Sequence, residues 1–409
     1  MPRSIVAESV AHRLRHASWI RRMFEEGNRL RAERGAENVF DFSLGNPEVE
    51  PPELVLAAVR KIVSGQRPRA HAYMPNGGFP EVRQALAQRQ AQATGLPFAA
   101  ENIILTVGAG GALNVVLKAL LDPGDEVIAL APCFVEYRSY VENHGGRLVV
   151  AETRADFQPY LSRVAQAITP RTKAILINSP NNPTGVVYPA QFLDGLEALL
   201  QQQERPVVVI SDEPYRALAY DGIAIPETQR HLRNAIVATS WSKTLAIPGE
   251  RIGMLAISPR IEEAHLLGDA CTCTNRILGF VNAPALWQWV VAEVGHHAID
   301  IAPYQAKRDL FWEGLTRMGY RCVRPQGAFY LFPETPLEDD VGFVQLLLEE
   351  GILAVPGSGF GRSGHMRLSM TVSRSTIERS LPGFERALAR ARSRQEGGER
   401  RDDPSRRIA

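Results

Sequence analysis

Residues 102–121 read NIILTVGAGGALNVVLKALL. The segment Asn102–Val107 is short and mostly apolar, as in a buried strand, and Ala112–Leu121 repeats apolar residues at helical spacing. A glycine-rich turn separates them. The turn Asp122–Asp125 (DPGD) then leads to a second buried strand at Glu126–Leu130. This order of strand, helix and strand is typical of α/β proteins.

The same alternation continues through the middle of the chain. Further buried strands are predicted at Lys173–Asn178, Val207–Ser211 and Ala235–Thr239, and Pro189–Gln203 has a helical pattern. Short apolar strands that alternate with helices imply a mostly parallel sheet covered by helices on both faces. Ligands bind such sheets at the carboxyl ends of the strands, where this sequence carries its most distinctive residues.

The pattern divides the chain into a large and a small domain. The large domain is predicted at residues 51–303. From about Tyr304 a small α+β domain follows over 304–393, joined by residues 1–50 as an N-terminal helix or arm. Its predicted elements are a helix at 305–319, a strand at 327–332, a helix at 341–350 and a strand at 365–370. Residues 394–409 are polar with mixed charge and predict a disordered tail.

The composition limits the class of function. The chain has 409 residues, of which 45% are apolar and 22% charged, as in soluble globular proteins. Because the net charge is only +1, no broad basic field exists and nucleic acid is not expected as a partner. No apolar run approaches the roughly 18 residues of a membrane span, so no membrane interaction is expected either.

The N-terminus and the cysteines bear on the cellular compartment. Residues 1–24 alternate charge with apolar residues and predict an amphipathic helix. A basic transit peptide is the competing interpretation, and Glu8, Glu25 and Glu26 count against it. The four cysteines form no Cys-x-x-Cys pair, which predicts free thiols in a reducing cytosol and no metal site. We therefore expect a cytoplasmic protein.

The glycine-rich turn after the first strand is a candidate anion site. Gly108, Ala109 and Gly110 open the helix, where free backbone N–H groups and the positive end of the helix dipole attract negative charge. The turn matches neither a Walker loop nor the dinucleotide-binding fingerprint. A tight turn without a ligand is an equally good interpretation.

A lysine motif follows the strand Ala235–Thr239. Ser240, Ser242 and Lys243 lie in SWSKT, and Arg251 comes eight residues later in PGERIG. The hydroxyl groups and the guanidinium are suited to hold a phosphate, which leaves the lysine amine to form a Schiff base with a carbonyl. A surface lysine is the alternative, and the flanking residues favour the functional interpretation.

Two more polar motifs follow strands. Asp212 and Tyr215 lie in SDEPY, and Asn182 lies in SPNNPTG. A carboxylate beside a pyridine nitrogen stabilises the protonated ring, which then withdraws electrons from a substrate Cα. Asn182 and the Tyr215 hydroxyl are suited to donate to a phenolate oxygen. A helix-capping aspartate and a plain turn are the alternatives for the two motifs.

Together these motifs resemble a known family. SPNNPTG, SDEPY, SWSKT with PGERIG, and MRLS occur in this order, similar to the fold-type-I class I and II aminotransferases, over roughly residues 39–390. The resemblance implies a mostly parallel sheet sandwiched by helices in the large domain and a small α+β domain from both termini. It also implies pyridoxal 5′-phosphate (PLP) as cofactor and ping-pong transfer of an amino group between an L-amino acid and a 2-oxo acid.

The resemblance assigns roles to individual residues. Lys243 is implied to carry the cofactor and to move a proton between the substrate Cα and the cofactor's C4′, and Asp212 to pair with the pyridine nitrogen. The substrate is implied to contact Arg367 of MRLS, the backbone of Gly45, and Asn182. The other implied contacts are Asn182 and Tyr215 at the ring oxygen; Ser240, Ser242, Arg251, Gly108, Ala109 and Gly110 at the phosphate; Phe134 stacked on the ring; and Tyr73, which reaches the partner subunit's phosphate in a homodimer with shared active sites.

The sequence leaves part of the function open. Phe134 stands where family members often have Tyr or Trp, so stacking is retained without a polar tip. The sequence does not identify the donor and acceptor. A C–S β-lyase, a decarboxylase and an oxidase share the same cofactor chemistry and are alternatives. A non-catalytic PLP-binding regulator is another, but the roughly 40 residues before Asp41 are too few for a DNA-binding domain with a linker.

Overall fold

The computed structural model describes residues 5–15, 19–66 and 71–399, and these form two compact units. The large unit comprises residues 46–305 and 325–328, and the small unit comprises the described residues within 1–45, 306–324 and 329–399. The predicted domain ranges differ from these units at residues 46–50 and 304–305 and at the internal segment 325–328, which the sequence pattern assigns to the small domain. This segment belongs to the large unit because the N–H groups of Gln326 and Gly327 both donate to the Gly185 carbonyl at 2.9 Å.

The helices and strands of the described residues are as follows. The α-helices are α1 Glu8–Arg15, α2 Trp19–Arg34, α3 Glu53–Lys61, α4 Pro80–Thr94, α5 Gly108–Leu120, α6 Tyr137–Glu142, α7 Leu161–Ala167, α8 Ala190–Leu200, α9 Thr228–His231, α10 Trp241–Thr244, α11 Ala264–Ile277, α12 Ala285–Val294, α13 Ala302–Met318, α14 Asp340–Glu349 and α15 Arg374–Glu399. The strands are β1 Phe40–Asp41, β2 Ile103–Thr106, β3 Glu126–Ala131, β4 Arg147–Glu152, β5 Thr172–Asn178, β6 Val208–Asp212, β7 Ala235–Ser240, β8 Gly253–Ile257, β9 Tyr330–Leu331, β10 Ile352–Leu353, β11 Val355–Pro356 and β12 Met366–Ser369.

Seven strands of the described large unit form one sheet in the order β2-β8-β7-β6-β5-β3-β4. Strand β8 runs antiparallel to β2 and β7, and the other neighbouring strands pair in parallel. The prediction of a mostly parallel sheet is therefore confirmed. Strands β4 and β8 are not among the predicted strands. The sequence GMLAI of β8 is uniformly apolar, and periodicity alone does not distinguish such a short run from part of a buried helix.

Buried apolar clusters cover both faces of this sheet. Ile236 and Ala238 of β7 pack in a cluster that includes Leu113 and Val116 of α5. Val237, between them, packs in the cluster that holds residues of α3, α4 and α12. Because successive side chains of a strand point to opposite faces, both faces of β7 are covered by helices, as the continuous apolar strands predict.

The small unit contains two short sheets within its described residues. Strand β1 pairs with β10 in parallel, and β12 lies between β11 and β9 with antiparallel pairing. The predicted strands at 327–332 and 365–370 are longer than the observed β9 and β12.

The last helix overlaps the start of the predicted disordered tail. Helix α15 continues to Glu399, past the predicted start at residue 394. Its end is attached because Ala391 is buried and the Gln395 side chain donates to the Pro336 carbonyl at 2.8 Å. Residues 400–409 of the predicted tail, and residues 1–4 and 16–18 of the predicted N-terminal helix, lie outside the described residues.

The helices of both units were compared with the length and hydropathy of a membrane-spanning helix. Across the described segments, none is long and apolar enough to cross a bilayer.

Candidate active site

Three neighbouring strands of the large unit end in polar residues at one edge of the sheet. Strand β5 ends at Asn178, β6 at Asp212 and β7 at Ser240. Asn178 is paired with Asp212, and Asp212 with Ala238. The parallel order therefore brings motifs that are far apart in sequence to the same edge, where α/β proteins bind their ligands.

Asp212 is the buried carboxyl at the centre of this edge. The Tyr137 hydroxyl donates to its Oδ2 at 2.6 Å. Its Oδ1 is buried and has no hydrogen-bond partner among the described residues. Burial raises the pKa of Asp212 to about 7, with the Tyr137 hydrogen bond acting in the opposite direction and the nearby Glu213 adding to the rise. A buried acceptor without a partner is rare and marks a place where a ligand donor fits.

The predicted ring-oxygen contacts, Asn182 and Tyr215, are both buried in the large unit. The Asn182 N–H donates to the side-chain oxygen of Asn178 at 2.7 Å. The Asn178 amide in turn donates to the Asp212 carbonyl at 2.7 Å. The loop that carries Asn182 is therefore tied to the strand that carries Asp212.

The glycine-rich turn is more helical than the sequence indicates. Helix α5 begins at Gly108, four residues before the predicted start at Ala112, so Gly108, Ala109 and Gly110 form its first turn. Gly108 has φ +78°, a backbone conformation that residues other than glycine rarely adopt. A Cβ at Gly108 would lie 2.7 Å from the Arg251 Nη2 atom. The guanidinium thus lies directly against the helix N-terminus.

Arg251 is held there by its own backbone and by local hydrogen bonds. Its φ of +53° is in the left-handed region. Its guanidinium donates to the Pro248 carbonyl at 3.0 Å and to the Val107 carbonyl at 3.4 Å. Strand β8 follows immediately and pairs its Gly253 with Ser240 of β7. The antiparallel return of β8 is therefore what carries Arg251 to the end of β7.

Lys243 lies in the short helix α10, directly after β7. Its side chain is half-buried, and Ser240 and Ser242 on either side of Trp241 are buried. The indole of Trp241 donates to the Gly295 carbonyl at 2.9 Å, which fixes the turn that presents the lysine. The arrangement combines a primary amine, two hydroxyl groups, a guanidinium and a helix N-terminus in one region, the donor set that a phosphorylated carbonyl compound needs.

Phe134 and Tyr73 differ in how the chain positions them. The Phe134 ring meets Tyr137 edge to face, with ring centroids 5.6 Å apart. It is therefore packed on the residue that binds Asp212. The side chain of Tyr73 is 87% exposed in the single chain. Its backbone segment is tied to a later part of the chain, since the Asn76 side chain donates to the Val281 carbonyl at 3.0 Å.

The predicted carboxylate-binding residues lie in the small unit. Arg367 of β12 is 2% exposed, and its Nη2 donates to the Ser43 carbonyl at 2.5 Å. Its guanidinium carbon lies 4.6 Å from the centre of the Tyr330 ring and 4.9 Å from that of Phe360. A Cβ at Gly45 would lie 2.0 Å from the Tyr330 hydroxyl oxygen, so any larger residue would require the Tyr330 ring to move. Tyr330 thus contacts both predicted residues.

Sequence reasoning missed three residues that the structure brings to these groups: Tyr137, Asn178 and Tyr330. Asn178 was within a predicted strand, and its polar side chain at the carboxyl end of an apolar run was the available signal. Tyr137 had no comparable signal, because its partner Asp212 is 75 positions away in the sequence.

The chain belongs to the class I and II aminotransferases, because residues 37–382 match the model of that family. Aspartate/prephenate aminotransferase of Thermus thermophilus is 36% identical over 370 residues, which cover 88% of this chain and 94% of that protein. Aspartate aminotransferase of Thermotoga maritima is 34% identical over 357 residues, covering 85% of this chain and 91% of that protein. A solved aminotransferase from Eubacterium rectale has a TM-score of 0.91 at 37% identity and covers 95% of this chain and 100% of its own.

These similarities establish the function at the level of the class. The chain has the fold-type-I architecture and is a PLP-dependent aminotransferase. The donor set fits this cofactor on two observations of the large unit. Asp212 Oδ1 is a buried acceptor that lacks a partner among the described residues. The second observation is the contact of Arg251 with the glycine turn. A side chain at Gly108 would fill the space that the Arg251 guanidinium occupies.

The pKa of Asp212 predicts how the stability of the cofactor-free protein depends on pH. Folded Asp212 holds its proton up to about pH 7, whereas an ordinary aspartate loses it near 3.8. Between these values the folded state binds more protons than the unfolded state. Raising the pH from about 4 to about 7 therefore lowers the free energy of unfolding, by at most about 1.4 kcal/mol per pH unit.

The substitution Asp212→Asn removes this titration. The free energy of unfolding of the variant relative to wild type, measured by urea denaturation at several pH values, should rise between about pH 4 and about pH 7 and then level off. A difference that does not change with pH would contradict the raised pKa.

Proposed function

We propose that Lys243 carries PLP and that the enzyme moves an amino group between an L-amino acid and a 2-oxo acid in two half-reactions at this lysine. The observation that carries the proposal is the buried Asp212 carboxyl, whose Oδ1 has no partner among the described residues, at the same sheet edge as the lysine motif. When bound, PLP joins an amine through its carbonyl carbon and withdraws electrons from the substrate Cα through its protonated pyridine ring.

In this proposal Asp212 keeps the pyridine nitrogen protonated. Its pKa near 7 in the protein alone reflects burial without an opposite charge. A protonated nitrogen at Oδ1 supplies that charge and stabilises the carboxylate. Tyr137 holds the other oxygen, so the carboxyl group has one orientation. Asn182 and Tyr215 donate to the ring oxygen.

The phosphate is held by the groups around the start of α5. The N–H groups of Gly108, Ala109 and Gly110 point out of the helix end, Arg251 adds a full positive charge, and Ser240 and Ser242 add hydroxyl donors. The Phe134 ring stacks on the cofactor. Holding the cofactor by its phosphate leaves the Lys243 amine available to move a proton between the substrate Cα and the cofactor's C4′.

Arg367, with the backbone of Gly45, binds the substrate α-carboxylate. A guanidinium offers two parallel N–H donors to a carboxylate, which an ammonium does not. The contacts of the Arg367 guanidinium with two aromatic rings and the Ser43 carbonyl support a fixed orientation. The names of the relatives make aspartate the first amino donor to test.

We further propose a cytoplasmic homodimer with shared active sites. The exposed Tyr73 supports the dimer, because a phosphate-binding tyrosine that reaches the partner subunit has to extend from the surface of its own chain. The four free cysteines support a reducing compartment.

Lys243→Ala should abolish covalent attachment of the cofactor. Borohydride reduction of the wild-type enzyme, followed by peptide mass spectrometry, should place one cofactor on Lys243. Lys307 is the internal comparison, since burial lowers its pKa to about 8. Stoichiometric label at Lys307 or another lysine, or label that persists in Lys243→Ala, would show that the assignment is wrong.

Arg367→Leu should impair both half-reactions. Loss of one partner of a buried charge pair costs about 2–5 kcal/mol, so kcat/KM for the amino acid and for the 2-oxo acid should each fall roughly 30- to 4,000-fold. Arg367→Lys should recover only part of the loss. The absorbance of the bound cofactor should not change, because the phosphate is held in the large unit. A variant that keeps kcat/KM for the amino acid, or that loses the cofactor, contradicts the role.

The shared site is tested with two inactive variants. If Tyr73 serves the partner's site, a hybrid of Tyr73→Ala and Lys243→Ala subunits has one site with both defects and one intact site. After subunit exchange, activity should return to up to about a quarter of wild type, because half of the dimers are hybrids. An inactive mixture with proven exchange would mean that Tyr73 acts within its own chain.

A further inference from the structure

Asn178 bridges two residues of the proposed cofactor site. It is the last residue of β5 and lies opposite Asp212 in the register with β6. Its side chain is buried, and both ends of its amide are used. The Nδ2 atom donates to the Asp212 carbonyl at 2.7 Å, and Oδ1 accepts from the Asn182 N–H at 2.7 Å. One planar group therefore fixes the distance between the backbones of Asp212 and Asn182.

That distance has a chemical meaning in the proposed function. Asp212 contacts the pyridine nitrogen and Asn182 the ring oxygen, and both atoms belong to one rigid aromatic ring. A rigid ligand is bound well only when its contacts are held at matching separations. Strand pairing fixes Asp212, but Asn182 lies in a loop beyond β5, where no sheet pairing holds it. The Asn178 amide adds a constraint that strand pairing does not provide.

We propose that Asn178 is a positioning residue that places Asn182 against the cofactor's ring oxygen by tying it to the strand of Asp212. This inference rests on the proposed roles of Lys243, Asp212 and Asn182. Asn178 would need no contact of its own with the cofactor, because both ends of its amide bond to Asp212 and Asn182. It acts through Asn182, whose donor to the ring oxygen stabilises the oxygen anion and lowers the proton affinity of the lysine–cofactor linkage.

Asn181 provides a matched control. It is the same residue type, is buried like Asn178, and lies in the loop of Asn182. Its side chain serves the turn instead, accepting from the Thr184 N–H at 3.2 Å and the Thr184 hydroxyl at 2.9 Å, and donating to the Pro132 carbonyl at 3.4 Å. Replacing either asparagine by alanine removes a buried amide, but only Asn178→Ala cuts the bridge.

The experiment is a pH titration of the absorbance of the bound cofactor in the holoenzyme. Asn178→Ala should raise the titration midpoint, on the order of half a pH unit, in the same direction as Asn182→Ala. In the double variant, Asn178→Ala should not shift the midpoint beyond the value of Asn182→Ala alone, because the Asn182 side chain through which Asn178 acts is already absent. Asn181→Ala should lower Tm and leave the midpoint at the wild-type value.

Two results overturn the inference: a midpoint in Asn178→Ala equal to that of Asn181→Ala, or additive shifts in the double variant. If Asn178→Ala does not fold, Asn178→Ser, whose shorter hydroxyl side chain bonds at most one of the two partners, should give a shift of the same sign, and an unshifted midpoint rejects the inference. Failure of the proposed function is distinct, since the wild-type enzyme would then carry no titrating cofactor at Lys243.

Discussion

The structure of the site depends on the cost of burying the Asp212 carboxyl group. A carboxylate removed from water is destabilised unless hydrogen bonds or an opposite charge replace the lost hydration, and in this protein burial raises its pKa to about 7. Tyr137 satisfies one oxygen. The other oxygen, Oδ1, has no hydrogen-bond partner among the described residues. In the proposed function, a protonated ring nitrogen donates to it. In that proposed function, the burial that raises the pKa of Asp212 also favours a ligand with a positively charged ring nitrogen.

The topology of the large sheet places the other polar motifs beside Asp212. Parallel pairing brings the ends of β5, β6 and β7 to one edge, so that the amide, carboxyl and lysine motifs meet there. Antiparallel β8 then returns beside β7 and carries Arg251 to the N-terminus of α5, where Gly108 leaves room for it. In the proposed function, the phosphate and the ring nitrogen are therefore recognised by different elements, so that substitutions can alter one contact without moving the other.

The sequence predicted the alternation of strands and helices, the mostly parallel sheet and the order of the motifs, because these follow from local periodicity and turn chemistry. It did not predict β8, the start of α5 at Gly108, or the continuation of α15 to Glu399. Those features depend on contacts distant in sequence, such as the Gln395 bond to Pro336. Tyr137 and Tyr330 were missed for the same reason. Their roles arise from the partners that the fold gives them, Asp212 and Arg367, and not from any motif around them.

The central claim, that Asp212 holds the cofactor's pyridine nitrogen in its protonated form, is tested most directly by ¹⁵N NMR of the enzyme reconstituted with PLP labelled at that nitrogen. We expect a pyridinium chemical shift in the wild-type enzyme that stays constant from neutral to moderately alkaline pH, and a shift toward neutral pyridine in Asp212→Asn. A neutral-pyridine shift in the wild-type enzyme at neutral pH, or an unchanged pyridinium shift in Asp212→Asn, would contradict the claim.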